Sequence, residues 1–179
     1  FPLNEDLSQS GFDAYLSTTF GSLSPALTEA YANELKVSPG FAQREIATDL
    51  FMAFGMRSWA GHMQQAQTQT YLYFMEYVPP AFQIYLVNEP DLQLPDGPRS
   101  AGAYHSGDLV YVFNNLDRFA VAWSEDDRAM ARAMSGYWTQ FAKTGDPNRP
   151  DLPFWPSYTS DRHQTLRLDK KIETISGAR

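Results

Sequence analysis

The sequence contains three histidines, the residue type most often used for proton transfer in catalysis. His62 lies near the end of a predicted long helix, where a basic side chain complements the helix dipole. His163 lies in a polar turn and is expected to be a solvated surface residue. His105 differs because it ends a long irregular loop, between Gly102 and Gly107 and before an apolar run. That position suits either a structural histidine or a general base that reaches a pocket.

Composition and charge exclude several other classes of site. The chain has no cysteine, which removes disulfides, thiolate metal sites and a cysteine nucleophile. No two histidines have the close spacing of a metal-binding helix, so no metal site is predicted. The net charge is -7 and Lys and Arg form no cluster, which argues against a nucleic-acid partner. No apolar run approaches the ~20 residues of a membrane span.

The elements that must position these residues are mostly helices. Ser24–Pro25 and Ser38–Pro39 each combine a serine cap with a proline in the first turn, which predicts two helix starts. The second opens a long helix with an apolar stripe formed by Ile46, Leu50, Phe51, Phe54, Trp59 and Met63. Residues 70–78 are rich in aromatic side chains and predict a buried strand that ends at Pro79–Pro80.

The second half of the chain has its own clear signals. Residues 79–107 contain many prolines and glycines with no sustained period, and a connection of this length is more often functional than idle. Ser124 with Asp127 predicts a capping box, and the helix that follows ends at Gly145. Its stripe is Met130, Met134, Tyr137, Trp138 and Phe141. Residues 165–168 and 172–175 predict short strands. The small number of predicted strands indicates that they form part of a larger sheet.

Residues 102–113, read as Gly-Ala-Tyr-His-Ser-Gly-Asp-Leu-Val-Tyr-Val-Phe, resemble the catalytic-histidine segment of the type-B carboxylesterases. In that cholinesterase-like branch of the α/β-hydrolases, a G-x-x-H-[GS] loop precedes an acidic residue and an apolar stretch ending in Val-Phe. Further segments resemble the family's long helix, late strand, terminal helix and closing segment in the same order: Thr48–Phe51, Tyr71–Tyr73 with Val78–Pro80, Ser124–Asp126 with Met134–Trp138 and Phe141–Asn148, and Leu152–Tyr158.

The resemblance implies the C-terminal portion of an α/β-hydrolase fold, helix-rich and carrying a few strands of a larger mixed sheet. It implies an ester hydrolase with a Ser-Glu/Asp-His triad, no metal or organic cofactor, and a small-molecule ester as substrate. His105 corresponds to the histidine that takes the serine proton and returns it to the leaving alcohol. Asp108 corresponds to a recurring acid, which is expected to order the loop by hydrogen bonds rather than to take part in the reaction.

The nucleophile and the acid that such a triad requires are not found in this sequence. In α/β-hydrolases both precede the histidine, but no serine lies in G-x-S-x-G, and neither Ser10 nor Ser106 has the flanking glycines. Glu5 and Asp6 are poor candidates for the acid because neither precedes a glycine. We therefore expect residues 1–179 to be the C-terminal segment of a single α/β-hydrolase domain whose upstream half, a partner with the serine and the acid, is absent.

Two functions stay open at this level. The first is ester hydrolysis through an acyl-serine, with residues 81–100 lining the acyl or alcohol pocket. In this case the chain alone is expected to be inactive, because a base without a nucleophile cannot form the acyl intermediate. The second is a non-catalytic cholinesterase-like module that binds another protein, against which the retained histidine argues.

Overall fold

The computed structural model describes residues 4, 6–80 and 102–177, which form two compact units, one up to Trp59 and one from Ala60 onward. The loop of residues 81–100 and Glu5 lie outside the described residues. No described helix combines the length and the apolar character that a bilayer span requires. The expectation of a single domain with a missing upstream half stays a prediction.

The first unit is helical. Its two predicted starts are confirmed, since Pro25 and Pro39 lie in first turns and the Ser38 hydroxyl accepts from the Phe41 amide at 3.0 Å. The predicted cap at Ser24 is wrong, because Ser24 is the first residue of α2 and its hydroxyl donates to the Gly21 carbonyl at 2.6 Å. Phe12, Leu16, Ala42 and Ile46 form its core. The helical segments are α1 (Gln9–Phe20), α2 (Ser24–Ala30), α3 (Ala32–Val37), α4 (Pro39–Thr48), a π-helical turn (Asp49–Ala53) and α5 (Phe54–Gln65), which crosses the boundary between the units.

The apolar stripe of the long helix is only partly buried. Ile46 is buried, whereas Leu50, Phe51, Phe54 and Trp59 are between 53% and 71% exposed. Helical spacing brings these side chains to neighbouring rows of one surface, but it does not supply a partner for that surface. The predicted apolar stripe is therefore buried at Ile46, half-buried at Met63 and largely exposed between them.

The second unit contains a small sheet. Strand β1 (Tyr73–Met75) pairs in parallel with β2 (Gln164–Leu168), and β2 pairs antiparallel with β3 (Glu173–Ser176). The predicted strand over residues 70–78 is longer than the observed β1. Its ladder ends because the amides of Glu76 and Tyr77 both donate to the Leu168 carbonyl, as in a bulge.

The longest helix of the second unit covers this sheet. Helix α7 (Glu125–Thr144) has the predicted capping box at Ser124 and Asp127, and Gly145 ends it at φ 77°, where glycine carries no steric penalty. A short helix, α6 (Leu109–Val112), precedes it. The core between these elements consists of Tyr77, Val110, Tyr111, Leu116, Met130, Ala131, Met134, Tyr137, Trp155, Leu166 and Leu168.

Candidate active site

His105 lies in a hydrogen-bonded turn, residues 102–108, which we name the His105 turn. The amide of Tyr104 donates to the Gly102 carbonyl at 3.0 Å, and the amide of Gly107 donates to the Tyr104 carbonyl at 3.0 Å. Gly102 and Ser106 both have positive φ, 61° and 68°. The backbone on both sides of His105 is thus defined by local hydrogen bonds, while its side chain is exposed.

Gly107 allows the turn to approach its neighbours closely. A Cβ atom at this position would lie 3.0 Å from the Tyr104 carbonyl oxygen and 3.2 Å from Cγ of Pro79. Both contacts are tighter than ordinary van der Waals contact, and the carbonyl belongs to the backbone. A side chain at position 107 would therefore push the turn away from Pro79, the residue that follows the predicted strand region.

Asp108 connects the His105 turn to the sheet. The Tyr73 hydroxyl on β1 donates to Oδ2 of Asp108 at 2.6 Å, across 35 residues of sequence. Burial, together with this carboxylate, raises the pKa of Tyr73, so its hydroxyl stays protonated and keeps donating at neutral pH. Asp108 thus makes the kind of hydrogen bond that an ordering role requires.

A second carboxylate, that of Asp127, lies in the first turn of α7 and contacts α6 through Tyr111. It is 2% exposed and accepts hydrogen bonds at both oxygens. The hydroxyls of Tyr77 and Tyr111 donate to Oδ1 at 3.0 and 2.8 Å. The Ser124 amide and hydroxyl donate to Oδ2 at 2.8 and 2.6 Å. Sequence reasoning identified Asp127 as a cap but missed its tyrosine partners, for which no sequence pattern exists.

The buried tyrosines predict a loss of stability at alkaline pH. Burial raises the pKa of Tyr73, Tyr77 and Tyr111, and raises the pKa of Tyr137 to about 12. The unfolded chain releases these protons from about pH 10 upward, whereas the folded chain retains them. Because the folded state then binds more protons, its stability is complete below about pH 10 and decreases as pH rises toward the folded pKa values.

Tyrosinate absorbance and urea unfolding, each followed from about pH 8 to about pH 12, check this expectation. The folded protein should show one group of tyrosines that ionises late and a urea midpoint that falls above about pH 10. Ionisation of all ten tyrosines together at their ordinary pKa in the folded protein would contradict it.

Neither His62 nor His163 makes a described hydrogen bond or ring contact with the His105 turn. His62 is exposed in the last turn of α5. His163 is exposed with φ 47°, and its Nδ1 lies 3.0 Å from the Tyr158 hydroxyl. The Ser106 hydroxyl donates to the His105 backbone carbonyl, so it is not directed at an imidazole. Asp6 is exposed. Among the described residues, no three His, Asp or Glu side chains lie together as metal ligands would.

Comparison with known proteins identifies the relatives of this chain. Residues 3–178 match the profile of the carboxylesterase family. The chain is 38% identical over 95 residues to the bile salt-activated lipase of Rattus norvegicus, an alignment covering 51% of this chain and 15% of that protein. It is 35% identical over 107 residues to carboxylesterase 5A of Canis lupus familiaris, covering 56% of this chain and 17% of the relative.

Solved esterase structures show the same fold. A thermophilic pNB esterase superposes with a TM-score of 0.64 at 24% identity, covering 98% of this chain and 33% of that one. A Geobacillus stearothermophilus carboxylesterase superposes with a TM-score of 0.71 at 21% identity, covering 96% of this chain and 33% of that one. The chain thus has part of an α/β-hydrolase fold and spans about a third of the length of these structures.

Proposed function

Because this chain belongs to the carboxylesterase family, we propose that it is the C-terminal segment of a serine hydrolase that cleaves carboxylic esters. In this proposal the segment supplies the catalytic histidine, His105. The nucleophilic serine and the triad acid belong to another part of the same protein. The substrate is a small-molecule ester, and the reaction passes through an acyl-serine without a metal or organic cofactor.

The observation that carries the proposal is the geometry of the His105 turn. Its backbone is held by hydrogen bonds within the turn and by the contact between Asp108 and Tyr73, yet the side chain of His105 is exposed. A histidine that acts as a general base requires a fixed backbone and an accessible ring, since it must reach a proton on a group that belongs to another element. His62 and His163 are also exposed, but they lie outside the segment that resembles the family's histidine loop.

The chemistry assigned to His105 is the transfer of a proton from the nucleophile to the leaving group, once in each half of the reaction. Its neutral imidazole takes the proton of the serine hydroxyl as the oxygen attacks the ester carbonyl. The resulting imidazolium gives that proton to the departing alkoxide, which leaves as the alcohol, while the acyl group stays on the serine oxygen as an acyl-serine. In the second half, the imidazole takes a proton from water, which attacks the acyl group. The tetrahedral intermediate then collapses, the proton passes to the serine oxygen, and the carboxylic acid is released.

Four features support a partner segment for the nucleophile. The sequence has no G-x-S-x-G, and its alignment with solved esterases covers about a third of their length. Strand β1 lies at one edge of the described sheet, and the described surface of the first unit includes the exposed apolar side chains of Leu50, Phe51, Phe54 and Trp59. Sheet edges and apolar surfaces of this kind are commonly covered by further chain.

The first test measures hydrolysis of ethyl butyrate by this chain alone, because the alkoxide of an alkyl ester is too poor a leaving group for direct attack by an exposed imidazole. We expect the rate to equal that of its His105→Ala variant, since an imidazole without an activated hydroxyl cannot form the acyl-serine intermediate. The matched control is Ser106→Ala, which removes the hydroxyl nearest to His105 in sequence. Turnover above the His105→Ala rate, lost on removal of Ser106, would show that the nucleophile lies in this chain.

The second part of the test uses the complete esterase and a fluorophosphonate, which reacts covalently with an activated serine. Mass spectrometry of the labelled peptide should place the modified serine outside residues 1–179. A labelled serine within these residues would overturn the assignment of roles. No labelling of any serine, together with no ester hydrolysis, would instead favour a non-catalytic binding module.

A further inference from the structure

The His105 turn continues directly into α6, and one side chain of α6 connects it to a buried carboxylate. The amides of Tyr111 and Val112 both donate to the Asp108 carbonyl at 3.0 Å, and the Leu109 amide donates to the Ser106 carbonyl at 3.2 Å. These bonds join the turn and the helix through consecutive backbone groups. A displacement of α6 therefore displaces the backbone that carries His105.

The position of α6 depends on Asp127 through Tyr111. The Tyr111 ring is fully buried, and its hydroxyl donates to Oδ1 of Asp127 at 2.8 Å. Tyr77, which follows β1, donates to the same oxygen at 3.0 Å, and the two tyrosine rings meet edge to face at 5.7 Å. One carboxylate oxygen thus receives hydrogen bonds from the segment after the sheet strand and from the helix after the His105 turn.

We propose that Asp127 is a positioning residue for ester hydrolysis, holding the His105 turn against the sheet through the Tyr111 hydroxyl. This inference rests on the proposed function of His105. Asp127 has no contact with substrate in this proposal. It acts by fixing α6, whose first turn is bonded to the carbonyl of Asp108.

The two oxygens of Asp127 separate this role from helix capping. Among the described residues, Oδ1 accepts from the two tyrosines, while Oδ2 accepts from the Ser124 amide and hydroxyl at the start of α7. A purely structural cap depends on the Oδ2 side. Positioning of His105 depends on the Oδ1 side. Tyr111→Phe removes one of the two donors to Oδ1. Ser124→Ala removes one of the two donors to Oδ2, together with the hydroxyl that accepts from the Asp127 amide. Both variants leave the carboxylate in place.

The experiment compares these variants in the complete esterase with a p-nitrophenyl ester, measuring kcat, KM and Tm. Tyr111→Phe is expected to lower kcat by about 10- to 100-fold with KM within about twofold, because a small misplacement of the base slows proton transfer more than binding. Ser124→Ala is expected to lower Tm at least as much as Tyr111→Phe does, because it removes a hydrogen bond to the same carboxylate and also the acceptor of the Asp127 amide. Its kcat should stay within about twofold of the parent.

The outcomes separate this proposal from the one on which it rests. Equal losses of kcat in Tyr111→Phe and Ser124→Ala, in proportion to Tm, would show that Asp127 has only a structural role. An unchanged kcat in Tyr111→Phe, beside a His105→Ala variant that is inactive, would overturn the positioning role alone. An active His105→Ala variant would overturn the proposed function itself.

Discussion

Replacing His105 with alanine is expected to lower kcat of the complete esterase by about 10⁴-fold or more, with a much smaller change in KM. The imidazole takes part in both proton transfers, and alanine offers no group that accepts a proton. Activity that persists arises from substrate binding and from polarisation of the ester carbonyl. Steady-state kinetics with a p-nitrophenyl ester measure the loss.

The exposed position of His105 makes this result simple to interpret. Substitutions of exposed side chains usually change stability little, and His105 is exposed, so Tm should change little. The matched controls are His62→Ala and His163→Ala, which remove the other two imidazoles from exposed positions. If all three variants retain kcat, no histidine of this segment is the base, and the proposed role of this segment is wrong.

Replacing Trp155 with alanine is expected to lower the free energy of unfolding by about 3–5 kcal/mol, the usual cost of removing a buried large aromatic side chain. Trp155 is 5% exposed, and its indole N–H donates to the Leu72 carbonyl at 3.0 Å. Its ring lies 5.4–6.1 Å from four neighbouring rings, those of Tyr71, Tyr73, Tyr137 and Trp138. The cavity would open beside Tyr73, the residue that holds Asp108.

The adjacent residue supplies the control for this measurement. Phe154 is 70% exposed, and only its backbone carbonyl makes a described hydrogen bond, from the Thr174 hydroxyl. Phe154→Ala should change the free energy of unfolding by no more than about 0.5 kcal/mol in urea titrations. Trp155→Phe should cost less than Trp155→Ala, because it keeps most of the ring while losing the bond to Leu72. Equal effects at positions 154 and 155 would contradict the packing described.

Elements whose signals are local could be predicted from sequence. Ser38–Pro39 and the pair of Ser124 with Asp127 start helices as expected, and Gly145 ends one in the left-handed conformation. Each signal depends on hydrogen bonds or steric limits within a few residues, so no distant contact is needed to predict it. The bounds of the two short strands predicted near the C-terminus lie within one residue of the observed bounds.

Elements whose limits depend on distant residues were predicted less well. The strand over residues 70–78 is shortened to Tyr73–Met75 because Leu168, more than ninety positions away, receives two successive amides. The stripe of Leu50, Phe51, Phe54 and Trp59 has helical spacing, yet these side chains are exposed. Periodicity defines which residues share a face, but only the surrounding chain decides whether that face is covered.

The same division applies to the candidate site. The sequence singles out His105 as a candidate through the resemblance of residues 102–113 to the family's histidine loop, and it shows no G-x-S-x-G, because motifs are properties of the chain itself. It did not indicate that Tyr73 would hold Asp108 or that Tyr77 and Tyr111 would share Asp127. Those hydrogen bonds join residues 35, 50 and 16 positions apart. These hydrogen bonds form because the packing of β1, α6 and α7 buries the groups together. Each buried hydroxyl then has a carboxylate as its partner.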